Sequence, residues 1–323
     1  MSTMITPPTA INTAFLNDVL TGLKAHKKSL SSKYFYDETG DYIFQQIMDM
    51  EEYYLTNAEM EILKDQSETL SDLIVAEGSA FDLIELGAGD ATKSIHLLKS
   101  LLSREVDFTY LPIDISAHVI SDLEETLPTK LPNLKMEGLN GDYFAMVKKA
   151  NALSSRRKVL LFMGANIGNM NTTEAEDFCR ALRSELSTDD LLIIGFDLKK
   201  NPQQILAAYN DAAGITRSFN INLLHRINKE LQANFVVENF DHYATYDPET
   251  GACKSYLISL TDQLVNVGSE EIHFLENEHI YMEISQKYAL PETDQLAGKT
   301  GFIPVAHLFD QRRYFVDAIW KAG

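Results

Sequence analysis

The stretch FDLIELGAGDATKS, residues 81–94, contains a run of apolar residues, an acid and a G-x-G pair in close succession. This order predicts a buried β-strand, a tight turn and then a helix, as in α/β proteins that bind a cofactor at the carboxyl end of a strand. Gly87 and Gly89 lack a Cβ, so the chain can turn sharply there and a ligand can approach the backbone. A strand–helix turn without a ligand would contain the same two glycines, and the pair alone does not separate the two cases.

The residues around the pair favour one cofactor over another. A dinucleotide fingerprint would have a third glycine at position 92, where this chain has Thr92. Glu85, two residues before Gly87, would repel a pyrophosphate but attract the ammonium and sulfonium groups of S-adenosylmethionine. The pattern E-x-G-x-G therefore favours S-adenosylmethionine over NAD.

Two further acids follow the next two predicted strands. The strand over 108–115 contains Asp114 at its end, where an acid can accept hydrogen bonds from both ribose hydroxyls. After a third strand over 134–138, Asp142 can accept from an adenine amino group and Tyr143 can stack on the ring, although an acid after Gly141 is also common in plain turns. Acids at three successive strand ends are hard to explain as separate coincidences.

The composition excludes several classes of protein. With 323 residues, 45% hydrophobic and 23% charged, the chain is an ordinary globular protein of one or two domains. Its net charge of -19 argues against nucleic acid as a partner. No apolar run of membrane-spanning length and no signal region occur, so we expect a cytoplasmic protein with no membrane partner. Two cysteines and scattered histidines predict no metal site.

Strands and helices alternate from residue 81 to about residue 196. The pattern predicts a doubly wound parallel sheet with helices on both faces. After Leu198 the sequence pattern changes. It predicts helices over 203–213 and 220–234, a hairpin over 236–246 and 252–260, and shorter strands near 263–268 and 271–275. The tail, 302–308 and 313–320, predicts a final antiparallel pair, and Thr56 with Glu59 predicts a capping box near the chain start.

These patterns predict a discontinuous domain organisation. The sheet domain would comprise residues 60–197 and 287–323 and would bind S-adenosylmethionine. A second, inserted α+β domain, residues 1–59 and 198–286, would bind the substrate in a cleft between the two. The fold class is therefore α/β, a Rossmann-like methyltransferase sheet with an inserted substrate domain.

Eight blocks of sequence, taken together, resemble the histidine-specific Nα-methyltransferases of ergothioneine biosynthesis. The resemblance covers nearly the whole chain, with the blocks in family order and spacing. They are KYFYDETG (33–40), EEYYLTNAE (51–59), ELGAGDATK (85–93), PIDIS (112–116), GANIGNM (164–170), AYNDAAGITRSFN (208–220), INKELQANF (227–235) and EISQKY (283–288). The resemblance implies S-adenosylmethionine as methyl donor and S-adenosylhomocysteine as product, without a metal.

The resemblance also implies a set of site residues. Residues at cofactor positions include Tyr36 and Lys93, besides Gly87, Asp114, Asp142 and Tyr143. Asn169 and Tyr209 match the residues that act on the substrate carboxylate and are the expected catalytic residues. The remaining positions match contacts to an amino-acid substrate, namely Tyr53, Gly164, Glu283 and Ser285. Without the resemblance, the tyrosines would be interpreted as core aromatics, Lys93 as surface charge and Glu283 as part of a solvated strand face.

One departure from the family concerns the substrate side chain. The family's histidine enzyme has a methionine in its pocket wall, and Ser255 stands at that position here. Relatives that methylate tryptophan-derived amines exist, but Glu283 with Ser285 favours histidine, because an apolar indole gives little reason to bury a carboxylate.

We therefore expect an S-adenosylmethionine-dependent N-methyltransferase acting on the α-amino group of a free amino acid. L-Histidine, methylated up to the trimethylated betaine, is the expected acceptor, and the protein is expected to be a monomer. The alternatives are an N-methyltransferase of a tryptophan-derived or other aromatic amine, a non-catalytic S-adenosylmethionine-binding protein and an NAD oxidoreductase. The last lacks an evident hydride-transfer pair.

Overall fold

The computed structural model describes residues 12–75 and 80–323. The chain folds into two compact units, each built from two separate stretches of sequence. The first, here called the sheet unit, comprises Tyr54–Lys200 and Gln286–Gly323. The other, here called the second unit, comprises Met1–Tyr53 and Asn201–Ser285, of which the structure describes residues from 12 onward. The functional roles predicted for the two domains stay predictions.

A seven-stranded sheet forms the centre of the sheet unit, in the order β11-β12-β5-β4-β1-β2-β3. The first five strands along the chain pair in parallel, and β12 pairs antiparallel with both β5 and β11. The strands are β1 (Phe81–Leu86), β2 (Phe108–Asp114), β3 (Leu139–Asn140), β4 (Arg157–Phe162), β5 (Leu191–Asp197), β11 (Phe302–Phe309) and β12 (Phe315–Ala322). The expected doubly wound α/β sheet with a final antiparallel pair is confirmed.

Central strands of this sheet are apolar on both faces because helices cover both. Every residue of β1 and β5 is buried, which matches their near-continuous apolar sequence. The helices of this unit are α3 (Tyr54–Asp65), α4 (Ser67–Val75), α5 (Ile95–Ser103), α6 (Ala117–Lys130), α7 (Tyr143–Leu153), α8 (Thr172–Ser184) and α11 (Leu290–Lys299).

Two predictions in the sheet unit are wrong. The third strand is not 134–138 but the two residues of β3, and the Gly138 N–H, directly before β3, donates to the Glu124 carboxylate. Only a single bridge, Tyr110 to Met136, precedes it. The predicted capping box is also absent from its expected place, since α3 begins at Tyr54 and contains both Thr56 and Glu59.

The second unit contains two small antiparallel sheets and four α-helices within the described residues. The larger sheet has the order β10-β7-β6, and β8 pairs with β9. The elements are α1 (Thr13–Lys24), α2 (Glu38–Met48), α9 (Pro202–Ala207), α10 (Ile215–Leu231), β6 (Phe240–Tyr246), β7 (Ala252–Ser259), β8 (Gln263–Val267), β9 (Glu270–Phe274) and β10 (His279–Gln286). The predicted hairpin of β6 and β7 is confirmed. The helix predicted over 203–213 is shorter, and the one predicted over 220–234 begins five residues earlier, after Gly214 in the left-handed region.

Candidate functional site

The glycine turn follows β1 at the carboxyl edge of the parallel strands. Gly87 and Gly89 have φ of 72° and 53°, values that L side chains rarely adopt. The N–H of Gly87 donates to the Ile113 carbonyl at 2.8 Å, which fixes the turn against β2. A Cβ on Gly87 would lie 2.8 Å from the Tyr143 hydroxyl, whereas a Cβ on Gly89 would have no heavy atom within 4 Å. The backbone at Gly89 is therefore open to a ligand.

Asp114, the last residue of β2, is tied to this turn. Its Oδ2 accepts from the Gly89 N–H at 3.4 Å and its Oδ1 accepts from the Ser116 N–H at 2.9 Å. Each carboxylate oxygen can accept a second hydrogen bond, so ribose hydroxyls could bind here without disturbing the turn. Ile115, next in the chain, is 82% exposed.

Asp142 and Tyr143 begin α7. The Asp142 carboxylate caps the helix, with Oδ1 accepting from the Phe144 and Ala145 N–H groups. The Tyr143 ring packs edge-on against Phe162 at 6.0 Å between centroids. Burial, and then the charges of Asp114 and Asp142, raise the pKa of Tyr143. Tyr143 therefore lies against the glycine turn and near both acids, which places the three residues predicted to bind adenosine in one neighbourhood.

Glu85, the acid before the glycine turn, has a buried side chain. It is 5% exposed and accepts a hydrogen bond from the Tyr110 hydroxyl. Burial raises its pKa to about 7, and hydrogen bonds from Tyr110 and Ser94 partly oppose that rise. A nearby cation would favour the charged form of this carboxyl group.

Lys93 and Gly164 both contact Glu59, which the sequence analysis assigned to a capping box. Lys93 forms an ion pair with Glu59, and both Glu59 oxygens accept from the Gly164 N–H, at 2.7 and 2.9 Å. Glu59 is 1% exposed. Its signal in the sequence was an acid on the apolar face of α3, in register with Leu55 and Ile62.

Asn169 ends a short 3-10 helix, Asn166–Asn169, directly after β4. Its backbone geometry is set by Ala165 and Gly164, which have φ of 54° and 78°. A Cβ on Gly168 would lie 2.9 Å from the Gln286 carbonyl oxygen, so the glycine permits close packing there. Asn169 is exposed at the same edge of the sheet as the glycine turn, where open α/β sheets bind ligands.

Tyr36 lies in the second unit, with residues predicted to bind substrate. Its ring packs edge-on against Phe44 and Phe219, and the side chain is 48% exposed. The surrounding protein, followed by the charges of Glu283 and Asp41, raises the pKa of Tyr36. Within this unit, Tyr36 is therefore close enough to Glu283 to sense its charge.

Tyr53, Tyr209 and Ser285 form a second group in the same unit. The Tyr209 hydroxyl and Ser285 Oγ are 2.8 Å apart, and the rings of Tyr53 and Tyr209 meet edge-on at 6.1 Å. Glu283 and Ser285 alternate with the buried residues of β10, so both side chains lie on one face of that strand. The structure brings together these predicted residues of the second unit.

Ser255 stays a predicted pocket residue, and strand alternation places its side chain on the face of β7 opposite to that of Tyr256. The next residue, Tyr256, contacts Tyr281, which shares its face of β10 with Glu283. Ser255 itself is 2% exposed and lies 3.3 Å from His242 Nε2. Burial lowers the pKa of His242 to about 4, so the imidazole beside Ser255 is neutral at physiological pH.

Strand order and site together define a class of protein. A parallel sheet that ends in an antiparallel pair, with a glycine turn after β1 and an acid closing β2, is the Rossmann-like methyltransferase fold. The family model described as "Histidine-specific methyltransferase, SAM-dependent" matches residues 15–322. The chain belongs to this family and is an S-adenosylmethionine-dependent methyltransferase.

Similar proteins carry related names. The histidine N-alpha-methyltransferase of Mycolicibacterium smegmatis is 33% identical over 277 residues, covering 85% of this chain and 84% of that protein. Ergothioneine biosynthesis protein 1 of Schizosaccharomyces pombe is 29% identical over 84% of this chain, which spans 36% of the fungal protein. The L-tryptophan methyltransferase trpM of Psilocybe serbica is 26% identical, with 89% and 87% covered.

Solved structures are more distant. The glycopeptide N-methyltransferase MtfA, complexed with S-adenosyl-L-homocysteine, has a TM-score of 0.41 at 9% identity, covering 79% of this chain and 87% of that one. Across residues 12–75 and 80–323, no helix is long and apolar enough to cross a membrane. In the same ranges, no three His, Cys, Asp or Glu side chains are grouped to hold a metal ion.

Proposed function

We propose that this protein transfers methyl groups from S-adenosylmethionine to the α-amino group of L-histidine, successively, up to the trimethylated betaine. The observation that carries the choice of histidine is the pairing of a carboxylate and a hydroxyl on one face of β10. Glu283 can accept from one imidazole N–H, and the Ser285 hydroxyl, held by Tyr209, can serve the other ring nitrogen.

The sheet unit would bind the cofactor. The open backbone at Gly89 fits a ligand that lies on the glycine turn, and Asp114 offers acceptors for ribose hydroxyls. The buried carboxyl of Glu85 fits a ligand with positive charge and without phosphates. Asp142, Tyr143 and Lys93 complete the assigned contacts, and Tyr36 and Gly87 are assigned to the same ligand from the family resemblance. The bound cofactor would supply a methyl group on a sulfonium, already activated for displacement.

The chain's own residues would orient the amine and leave its nitrogen free. Asn169 and Tyr209 are assigned to the substrate carboxylate, which the Asn169 amide and the Tyr209 hydroxyl can bind as donors. Tyr53 and Gly164 would flank the substrate. In each transfer the N–C bond forms as the S–C bond breaks, the nitrogen loses one proton to water, and S-adenosylhomocysteine leaves. Each proton must leave before attack, because only a neutral amine carries a lone pair.

Mass spectrometry of histidine incubated with enzyme and S-adenosylmethionine tests the proposal directly. We expect mono-, di- and trimethylated histidine in sequence. Tryptophan, tryptamine and phenylalanine belong in the same screen, and methylation of one of these with none of histidine would contradict the substrate assignment. Binding of S-adenosylhomocysteine without methylation of any amine would indicate a non-catalytic cofactor-binding protein.

Two variants separate the parts of the proposed site. Asn169→Ala should raise KM for histidine at least about tenfold, because the substrate carboxylate loses roughly one charged hydrogen bond. The affinity for S-adenosylhomocysteine should not change. Glu283→Gln should have a similar effect on histidine and a smaller one on amino acids without a ring N–H. Glu271→Gln, on an exposed position of β9, is the matched control. Unchanged KM for both site variants would remove their assigned roles.

The location and assembly of the protein are also part of the proposal. The chain has two cysteines, Cys179 and Cys253, which do not make the disulfide framework of a small secreted protein, and we propose the cytoplasm. We further propose a monomer that acts on a free small molecule. Sedimentation equilibrium at micromolar protein would detect a dimer.

A further inference from the structure

The buried carboxylate of Glu59 connects two segments of the sheet unit that are far apart in the sequence. Its oxygens accept from the Gly164 N–H, directly after β4, and it pairs with the ammonium of Lys93, directly after the glycine turn. Glu59 is 1% exposed and the Lys93 side chain 26% exposed, so the pair has one end inside the protein and one end toward solvent.

The sheet is built to admit this carboxylate. A Cβ on Gly195, in the middle of β5, would overlap Glu59 Oε1, so the glycine provides the space. The partner of Gly195 on β12 is Asp317, another fully buried acid. No described residue hydrogen-bonds to either Asp317 carboxyl oxygen. Two acids therefore lie close together, and of the two it is Glu59 that accepts hydrogen bonds from the described residues.

This arrangement shifts the pKa values of Asp317 and Lys93. Burial, and then the negative charge of Glu59, raise the pKa of Asp317 well above its ordinary value. Burial alone would lower the pKa of Lys93, but the charge and hydrogen bond of Glu59 raise it above its ordinary value. Lys93 thus stays charged beside Glu59, and its ammonium, which has three N–H donors, can still donate to a ligand.

We propose that Glu59 is a positioning residue for methyl transfer, which holds the Lys93 ammonium and the Gly164 backbone in the one arrangement that binds the two ligands together. This inference rests on the proposed function, in which Lys93 contacts the cofactor and Gly164 flanks the amine. Glu59 touches neither ligand and acts through these two residues. Because Lys93 is already paired with Glu59, it would meet a carboxylate-bearing ligand as part of a neutral ion pair. This pairing limits the free-energy cost of removing the lysine from water.

A double-mutant cycle on Glu59 and Lys93 tests whether one acts through the other. Glu59→Gln keeps the volume and an acceptor for the Gly164 N–H but removes the charge, and Lys93→Met removes the ammonium. We expect each to lower kcat/KM at least about tenfold and to weaken S-adenosylhomocysteine binding, measured by calorimetry. The double variant should be no worse than Lys93→Met alone. Losses that multiply in the double variant, or wild-type activity of Glu59→Gln, would overturn the proposal.

Controls separate positioning from folding. Glu61→Gln alters another acid of α3 that accepts a backbone N–H, from Gln311, at a half-buried position, and it should keep wild-type kcat and KM within about twofold. Circular dichroism and thermal midpoints show which variants are folded. If Glu59→Gln is unfolded, Glu59→Asp replaces it in the double-mutant cycle. This variant keeps the negative charge but moves it away from the Gly164 N–H, and we expect the same non-additivity with Lys93→Met.

The outcome for Glu59 can be distinguished from failure of the proposed function. If wild-type protein methylates no amine in the screen, the function fails, while the cofactor-binding arm of the cycle still tests Glu59. If the wild type methylates an amine and Glu59→Gln matches it in kcat, KM and cofactor affinity, the positioning role fails and the function stands.

Discussion

Asp197 and Asp317 lie on neighbouring strands of the same sheet, β5 and β12, with exposures of 1% and 0%. Asp197 accepts from the Tyr54 hydroxyl and forms ion pairs with Lys200 and with Lys287, the latter at 2.7 Å. Burial alone would raise its pKa, but the two lysines lower it below the ordinary value. No hydrogen bond from a described residue reaches the Asp317 carboxyl oxygens, and its pKa is raised. Burial alone therefore does not decide the charge of an acid, because the available partners do.

The partners of Asp197 have a second property in common. The chain passes from one unit to the other after Tyr53, after Lys200 and after Ser285. Tyr54, Lys200 and Lys287, each within two residues of one of these crossings, all bond to Asp197. One buried carboxylate thus anchors three separate segments of the chain in the sheet unit.

The largest expected effect in this comparison comes from Asp197→Asn. The substitution leaves Lys287, which is fully buried, and Lys200 without the counter-charge of this carboxylate. Removing one partner of a buried ion pair costs about 3–5 kcal/mol, and we expect a loss of this size in the free energy of unfolding, measured with urea at neutral pH. A loss below about 1 kcal/mol would place Asp197 with ordinary surface acids.

Asp317→Asn should have the opposite sign. Because the pKa of Asp317 is raised in the folded protein, the folded state binds a proton that the unfolded state has lost. Its contribution to stability therefore falls as pH rises from the unfolded pKa toward the folded one. A neutral asparagine has no such dependence, so the variant should be more stable than the wild type at neutral pH and should lose this advantage below the unfolded pKa. Unfolding curves between acid and neutral pH measure this gain, and an equal effect at every pH would contradict a neutral Asp317.

Glu85 is a third buried acid of the sheet unit, with a pKa of about 7, and its charge is expected to respond to the ligand. A bound sulfonium favours the ionised carboxylate, so binding of S-adenosylmethionine should release a proton and its affinity should rise with pH up to about 7, by at most about tenfold per unit. The groups that face Glu85 are Tyr110, Ser94, Lys93 and Glu59.

S-adenosylhomocysteine is the natural control for this effect because its sulfur is uncharged. Calorimetric titrations of both ligands between about pH 6 and about pH 8 should give a steeper rise for the sulfonium, and Glu85→Gln should remove the difference. Equal slopes for the two ligands in the wild-type protein would show that Glu85 does not sense the sulfonium.

The glycine turn and the buried acids differ in how far they could be predicted from the sequence. The glycine turn, β1 and β2 were predictable because local patterns define them, namely continuous apolar runs and a G-x-G pair. The roles of Glu59 and Asp317 were not, because their partners are distant in the chain and only the sheet register, with Gly195 between them, brings them together. Local sequence suggested a capping box for Glu59, and tertiary contacts determined its role.

The face that Ser255 occupies on its strand could likewise not be predicted from the local sequence. Matching its position to the family was a matter of sequence order, but the face that it occupies depends on its parity along β7. A shift of one residue along a strand moves every side chain to the other face. The residues of β10, in contrast, alternate visibly in the sequence, so Glu283 and Ser285 were correctly placed on one face together.

The smallest effect in the comparison is expected at the surface. Asp241 pairs with Arg217 at 2.6 Å, a shorter distance than that between Asp197 and Lys287, but both side chains are about half exposed. Water screens this pair and can hydrate either group when the other is removed, so Asp241→Asn should change the free energy of unfolding by less than about 1 kcal/mol. The change should shrink further in high salt, where exposed charges are screened, whereas the loss in Asp197→Asn should persist. Urea unfolding of both variants at low and high salt measures this contrast, and an equal salt response would mean that the lysines around Asp197 are hydrated.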